Sequence, residues 1–106
     1  MTIESLSASE CALRLSSAEP PLLLDVRTEQ EHASHRIPGS ILIPLQVLRE
    51  RSAELDPGRP MIVYCEHGVR SVHACAWLFE TGFQKVANLS GGIVRWNGPL
   101  EGQDVG

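Results

Sequence analysis

The chain has 106 residues, 42% of them hydrophobic, and a formal net charge of −4. That length supports one small domain and not two, and an acidic balance with scattered cations and no aromatic stacking platform argues against a nucleic-acid partner. There is no apolar run of about 18 residues to span a membrane and no basic-then-apolar leader pattern, and the three cysteines fit no disulfide framework, so a cytoplasmic, reducing setting is expected.

Ser7 and Glu10 have capping-box spacing ahead of Cys11-Ala12-Leu13-Arg14-Leu15, which predicts a helix over about residues 7–17 that Pro20-Pro21 stops. Leu22-Leu23-Leu24-Asp25-Val26 is an apolar run broken by one carboxylate, as in a strand buried on both faces. Thr28 and Glu31 repeat the capping-box spacing and begin a short helix to about Ser34. Pro38-Gly39 turns the chain into Ser40-Ile41-Leu42-Ile43, read as a second buried strand, and a helix is expected over about residues 45–52. Asp56-Pro57-Gly58 is a turn signal. Met61-Ile62-Val63-Tyr64 reads as a third buried strand, and residues 71–81 as the most apolar helix, with Gly82 just past its end. Val86-Ala87-Asn88-Leu89 is a short strand, and Gly91-Gly92 leads into a last helical turn from Ile93 to Trp96. The polar, Gly-containing tail over residues 98–106 is expected to be loose.

Strands and helices alternate, and the strands are short and apolar. That pattern predicts a parallel sheet with helices on both sides, and in such sheets the functional crevice lies beyond the carboxyl ends of the strands. Cys65 falls there, at the end of the third apolar run, followed by the loop Glu66-His67-Gly68-Val69-Arg70-Ser71 and a helix. A helix N-terminus and its free N–H groups favour anions, a thiolate included. The thiolate is the reactive form, and an ordinary thiol is only a few per cent ionised at pH 7.

The motifs Leu24-Asp25-Val26-Arg27, Arg36-Ile37-Pro38-Gly39-Ser40, Tyr64-Cys65-Glu66-His67-Gly68-Val69-Arg70-Ser71 and Gly91-Gly92-Ile93-Val94-Arg95-Trp96 resemble those of a rhodanese domain in order and spacing, over roughly residues 3–97 of a single domain covering 1–106. The resemblance implies a three-layer α/β/α fold with a five-stranded parallel sheet, its first strand near residues 3–5. It also implies a sulfurtransferase. Cys65 would take the outer sulfur of a donor such as thiosulfate, hold it as a persulfide, and pass it to cyanide or a thiol, with residues Glu66, His67, Gly68, Val69, Arg70 and Ser71 binding the donor. The acceptor side is open to a sulfur-carrier protein or a small thiol, and no cofactor is implied. Four residues separate Cys65 from Arg70. Related dual-specificity phosphatases and arsenate reductases carry five, so the shorter loop resembles the sulfur-transferring branch. The alternatives are a sulfur relay or binding module for a protein partner and, disfavoured by that loop length, a phosphatase or arsenate reductase on the same fold.

Several residues carry two readings. Arg70 can hold an anionic donor or steady the loop. His67 can donate to substrate or stand in solvent. Glu66 puts a negative charge beside the nucleophile, which repels a thiosulfate dianion unless its carboxylate turns to solvent or to a partner. The resemblance implies that Asp25, Arg27 and Arg36 fix neighbouring loops through ion pairs and do no chemistry, and buried charge needs such pairing in any case. Cys75 and Cys11 read as core filling. His32 and His35 stand where the family has other residues, and with His73 they lack the spacing of a metal site. Trp96 is expected to anchor packing, and Gly91-Gly92 to make a tight turn.

Overall fold

The computed structural model describes residues 3–105; Met1, Thr2 and Gly106, at the ends of the expected domain, lie outside the described residues. Five strands, β1 (Glu4–Leu6), β2 (Leu22–Asp25), β3 (Ile41–Leu42), β4 (Met61–Tyr64) and β5 (Val86–Leu89), form one sheet in the order β1-β5-β4-β2-β3, and every pairing is parallel. The helices are α1 (Ala8–Leu15), α2 (Glu29–Ser34), α3 (Leu48–Arg51) and α4 (Val69–Glu80). This is the expected three-layer arrangement.

Side chains alternate along β4 because successive strand residues face opposite ways. Met61, Val63 and Cys65 join the core under α3 and α4, with Leu48, Ala74, Cys75 and Leu78. Ile62 and Tyr64 join the opposite core, with Leu6, Cys11 and Ile93. Cys75 and Cys11 are thus core residues, and burial pushes their thiols up to about 12 and about 11. All three cysteines are unpaired.

Both capping boxes form. Ser7 Oγ accepts from the Glu10 N–H while the Glu10 carboxylate accepts from the Ser7 N–H, and Thr28 and Glu31 repeat the exchange. Gly82, at φ +109°, follows α4 as expected, and the Phe83 N–H reaches back to the Leu78 carbonyl.

Four expectations need correction. The strand at residues 40–43 shrinks to Ile41–Leu42 on the sheet edge, with Ile41 40% exposed, because an edge strand has one neighbour and Pro44 follows. The helix at residues 45–52 breaks into 3-10 turns at Leu45–Val47 and Ser52–Glu54 around a single α turn, with no side-chain cap at Pro44. The long helix begins at Val69 and not at residue 71, because left-handed Gly68 (φ +93°) is its N-cap. The tail is held in place. Arg36 and Glu101 exchange backbone hydrogen bonds, Gln103 and Asp104 donate to the carbonyls of Ala33 and Ser34, and the Trp96 indole N–H donates to the Pro99 carbonyl.

The division of core from surface sets the cost of truncation. Leu78→Ala is expected to lower the unfolding free energy by about 2–5 kcal/mol in urea titration, whereas Leu13→Ala, at a site 73% exposed, is expected to stay within about 0.5 kcal/mol of the parent.

Candidate active site

In this topology β4 is flanked by β2 on one side and β5 on the other, while the chain runs outward from β2 to the edge strand β3 before returning. The connections after β2 and β4 therefore leave the sheet side by side, with Asp25 opposite Tyr64 in register. Such a switch point is where an open α/β sheet forms its crevice. Cys65 stands at its floor and is 1% exposed.

Three groups meet the Cys65 sulfur. The Gly68 N–H donates to Sγ at 3.1 Å and the Ser71 N–H at 3.3 Å, and the Ser71 hydroxyl lies 3.3 Å away. The Gly68 and Ser71 amides are free because the first N–H groups of α4 have no partner inside the helix. Pointed together at a buried sulfur, they suit a negative charge on it.

The backbone of Cys65 and Glu66 is clasped from behind. The Ile93 N–H donates to the Cys65 carbonyl at 2.9 Å and the Val94 N–H to the Glu66 carbonyl at 3.3 Å. A Cβ on Gly92 would sit 2.3 Å from the Glu66 carbonyl oxygen and 2.7 Å from that of Cys65. The glycine pair thus serves close approach to the thiol loop as well as a turn, and the flanking strand gave no sign of this.

Arg27 carries the electrostatics. It is fully buried, and its guanidinium meets both oxygens of buried Asp25 at 2.9–3.2 Å, the Glu66 carboxylate at 3.1 Å and the His35 carbonyl at 2.7 Å. It also lies over the Tyr64 ring, 5.4 Å from the centroid. Burial alone would make the cation harder to hold, but the bonds and charge of Asp25 keep it above its ordinary pKa. The same Asp25 carboxylate lies 2.8 Å from His32 Nδ1 and accepts from it in the tautomer that carries its proton there. Burial raises the Tyr64 phenol to about 12, and its oxygen accepts from the Ile37 N–H at 3.2 Å and meets Ser40 Oγ at 3.0 Å, so β4 also positions the 37–40 turn.

The expected site residues therefore fall into distinct places. Gly68 and Ser71 touch the sulfur. Glu66 turns neither to solvent nor to the thiol but to Arg27, and His35 Nε2 comes within 4.0 Å of it. Arg70 forms a two-point pair with Glu31 at 2.8 and 2.8 Å, so its guanidinium steadies the loop. His67 and Val69 are exposed. Asp25 and Arg27 brace the loops; Arg36 does so at a distance, through Glu101 at 3.1 Å and the His32 carbonyl at 3.1 Å. Glu31 and Asn88 were missed. Glu31 was visible only as a capping residue, and Asn88 as a lone amide in an apolar strand, where it accepts from Ser71 Oγ at 2.5 Å. Among the described residues no three His, Cys, Asp or Glu side chains cluster as metal ligands.

The geometry defines a class, a parallel α/β domain that presents one buried thiol to a ring of donors at a helix start. The family model for the rhodanese-like domain matches residues 7–99, and the chain belongs to that family. It is 35% identical over 94 residues to a sulfurtransferase of Allochromatium vinosum, covering 89% of this chain and 88% of that protein. It is 32% identical over 75 residues to the thiosulfate sulfurtransferase GlpE of Coxiella burnetii, covering 71% and 70%. Among solved structures it superposes on a rhodanese-like domain protein from Staphylococcus aureus with a TM-score of 0.88 at 27% identity, covering 95% of this chain and 99% of that one.

Two outcomes follow from the ion pairs. Arg27→Met leaves the Asp25 and Glu66 carboxylates uncompensated and is expected to cost about 3–5 kcal/mol of unfolding free energy. The bonds from Arg70 hold Glu31 down to about 2, below its unfolded value. Its stabilising contribution is therefore complete above that unfolded value and is lost as pH falls through about 2. Glu31→Gln is expected to flatten that part of the acid-stability curve, read by thermal melts across the range.

Proposed function

We propose that this chain is a sulfurtransferase that carries a sulfane sulfur on Cys65, working as one rhodanese-like domain. The observation that supports it most is the set of polar groups around Sγ, two backbone N–H donors and the Ser71 hydroxyl within 3.3 Å. They suit an attacking thiolate and the persulfide that follows, since both carry negative charge at the same place.

In the first half-reaction the Cys65 thiolate attacks the outer sulfur of the donor. A new S–S bond forms, the donor's own bond to that sulfur breaks, and its electron pair leaves with sulfite when the donor is thiosulfate. In the second, cyanide or a thiolate attacks the outer sulfur, and Cys65 departs as thiolate. No net oxidant is needed. Residues 66–71 form the donor's binding loop. A cytoplasmic, reducing compartment suits a chain with three unpaired cysteines.

The ion pairs favour a persulfide over thiosulfate as donor. Arg27 is committed to Asp25 and Glu66, and Arg70 to Glu31. Neither cation is free to hold a dianion, and Val69 is 65% exposed in the loop. A small-molecule or protein-borne persulfide asks less of such a loop, and a sulfur-carrier protein or low-molecular-weight thiol is the matching acceptor. The phosphatase reading loses support because Arg70 turns to Glu31 and away from the thiol loop's centre.

Treated with glutathione persulfide, the wild-type chain is expected to gain one sulfur by intact mass, faster than with equal thiosulfate, and to lose it to cyanide or dithiothreitol. Cys65→Ser is expected to gain none. Loading of the serine variant, or turnover of a small aryl phosphate without any sulfur loading, would refute the assignment.

A further inference from the structure

The Ser71 hydroxyl has one proton and two claimants. Its oxygen lies 2.5 Å from Asn88 Oδ1 and 3.3 Å from Cys65 Sγ. Ser71 is fully buried and Asn88 is 6% exposed, so neither side chain has ready access to solvent as an alternative partner. With Oδ1 facing it, Ser71 gives its proton to Asn88 and offers the sulfur only lone pairs. That arrangement suits a neutral thiol, which can donate S–H to Oγ. It does not suit a thiolate or a persulfide anion, which needs a donor.

An amide carries an acceptor at one end and a donor at the other. Turning the Asn88 amide by half a rotation places Nδ2–H on Ser71 Oγ and frees the Ser71 proton for the sulfur. The anion then has a third hydrogen bond beside those of the Gly68 and Ser71 backbones. We propose that Asn88 is a positioning residue for Cys65: its amide turns as Cys65 becomes anionic, and so aims the Ser71 hydroxyl at the sulfur. The backbone supports this role, because β5 pairs with β4 and holds Asn88 level with Val63, two residues before the nucleophile.

Two other titratable groups bear on Cys65. Cys75 on α4 is held neutral by burial, and Arg70 at the start of α4 is tied to Glu31. Neither offers the sulfur a switchable hydrogen bond.

The test is the rate of Cys65 alkylation by iodoacetamide as a function of pH, with Cys65→Ser as the blank. It rests on Cys65 as the nucleophile of the proposed function but needs no sulfur donor, so failure of sulfur transfer and failure of this role are separable. Asn88→Asp presents acceptors at both ends and keeps the Ser71 proton away from the sulfur. Its profile is expected to move to higher pH, with alkylation at neutral pH about tenfold slower, the effect of one charge-assisted hydrogen bond. Ser71→Ala is expected to do the same. Asn88→Ala removes both the competing acceptor and the group that aims the hydroxyl, and is expected to slow the reaction less than Asn88→Asp. The added charge of aspartate is controlled by the double variant. On the Ser71→Ala background, Asn88→Asp should have much less effect than alone. Equal effects on both backgrounds, an unmoved profile in Asn88→Asp, or slowing in Asn88→Ala as great as in Asn88→Asp would overturn the proposal. The wild-type protein supplies a readout independent of folding in the variants. The Asn88 side-chain amide resonances should shift as Cys65 ionises, and resonances that stay fixed through that titration would also overturn it.

Discussion

A single buried cation holds the carboxyl edge of the sheet together. Arg27 leaves the end of β2 with no solvent exposure and therefore needs anionic partners in fixed places. It finds Asp25 on its own strand, Glu66 after β4 and the His35 carbonyl after α2. The end of β2 and two separate loops are thereby fixed by one guanidinium, whose planar fork can serve several acceptors at once. The thiol loop can be short because its first residue after the nucleophile is already anchored.

This bracing explains how a negative residue can follow the nucleophile. Placed freely, the Glu66 carboxylate would oppose an anionic sulfur. Bound to Arg27 it is compensated, and the polar groups that reach Sγ are two backbone N–H groups and the Ser71 hydroxyl oxygen. Arg70 shows the same logic from the other side of the loop. Its charge is spent on Glu31, which also caps α2 through Thr28. Backbone dipoles at the start of α4 are left to favour the anion, and they do so without moving. Under the proposed function the site would select by what it withholds, since the Arg27 and Arg70 guanidinium groups are already paired.

Much of this was legible in the residues because it follows local rules. β4 and β5 are fully buried strands whose bounds match their apolar runs, and the two capping boxes start α1 and α2 at the serine and threonine that predict them. The thiol, its loop and the family motifs pointed to the candidate site. What stayed hidden depends on partners far apart in the chain. Arg36 meets Glu101 across 65 positions and Arg70 meets Glu31 across 39, and no periodicity encodes such choices. The shortened β3 and the ordered tail have the same origin, for an edge position and a distant ladder decide them. Gly92 looked like a turn residue because its need to pass close to the Cys65 and Glu66 carbonyls exists only once the loop and the last turn are packed together.

The central claim is that one sulfur atom rests covalently on Cys65 between two separate half-reactions. Initial rates measured over a grid of donor and acceptor concentrations test it most directly. The account predicts parallel lines in the double-reciprocal plot, because the donor's remainder departs before the acceptor reacts. Lines that intersect would mean that donor and acceptor meet on the protein together, and would contradict it.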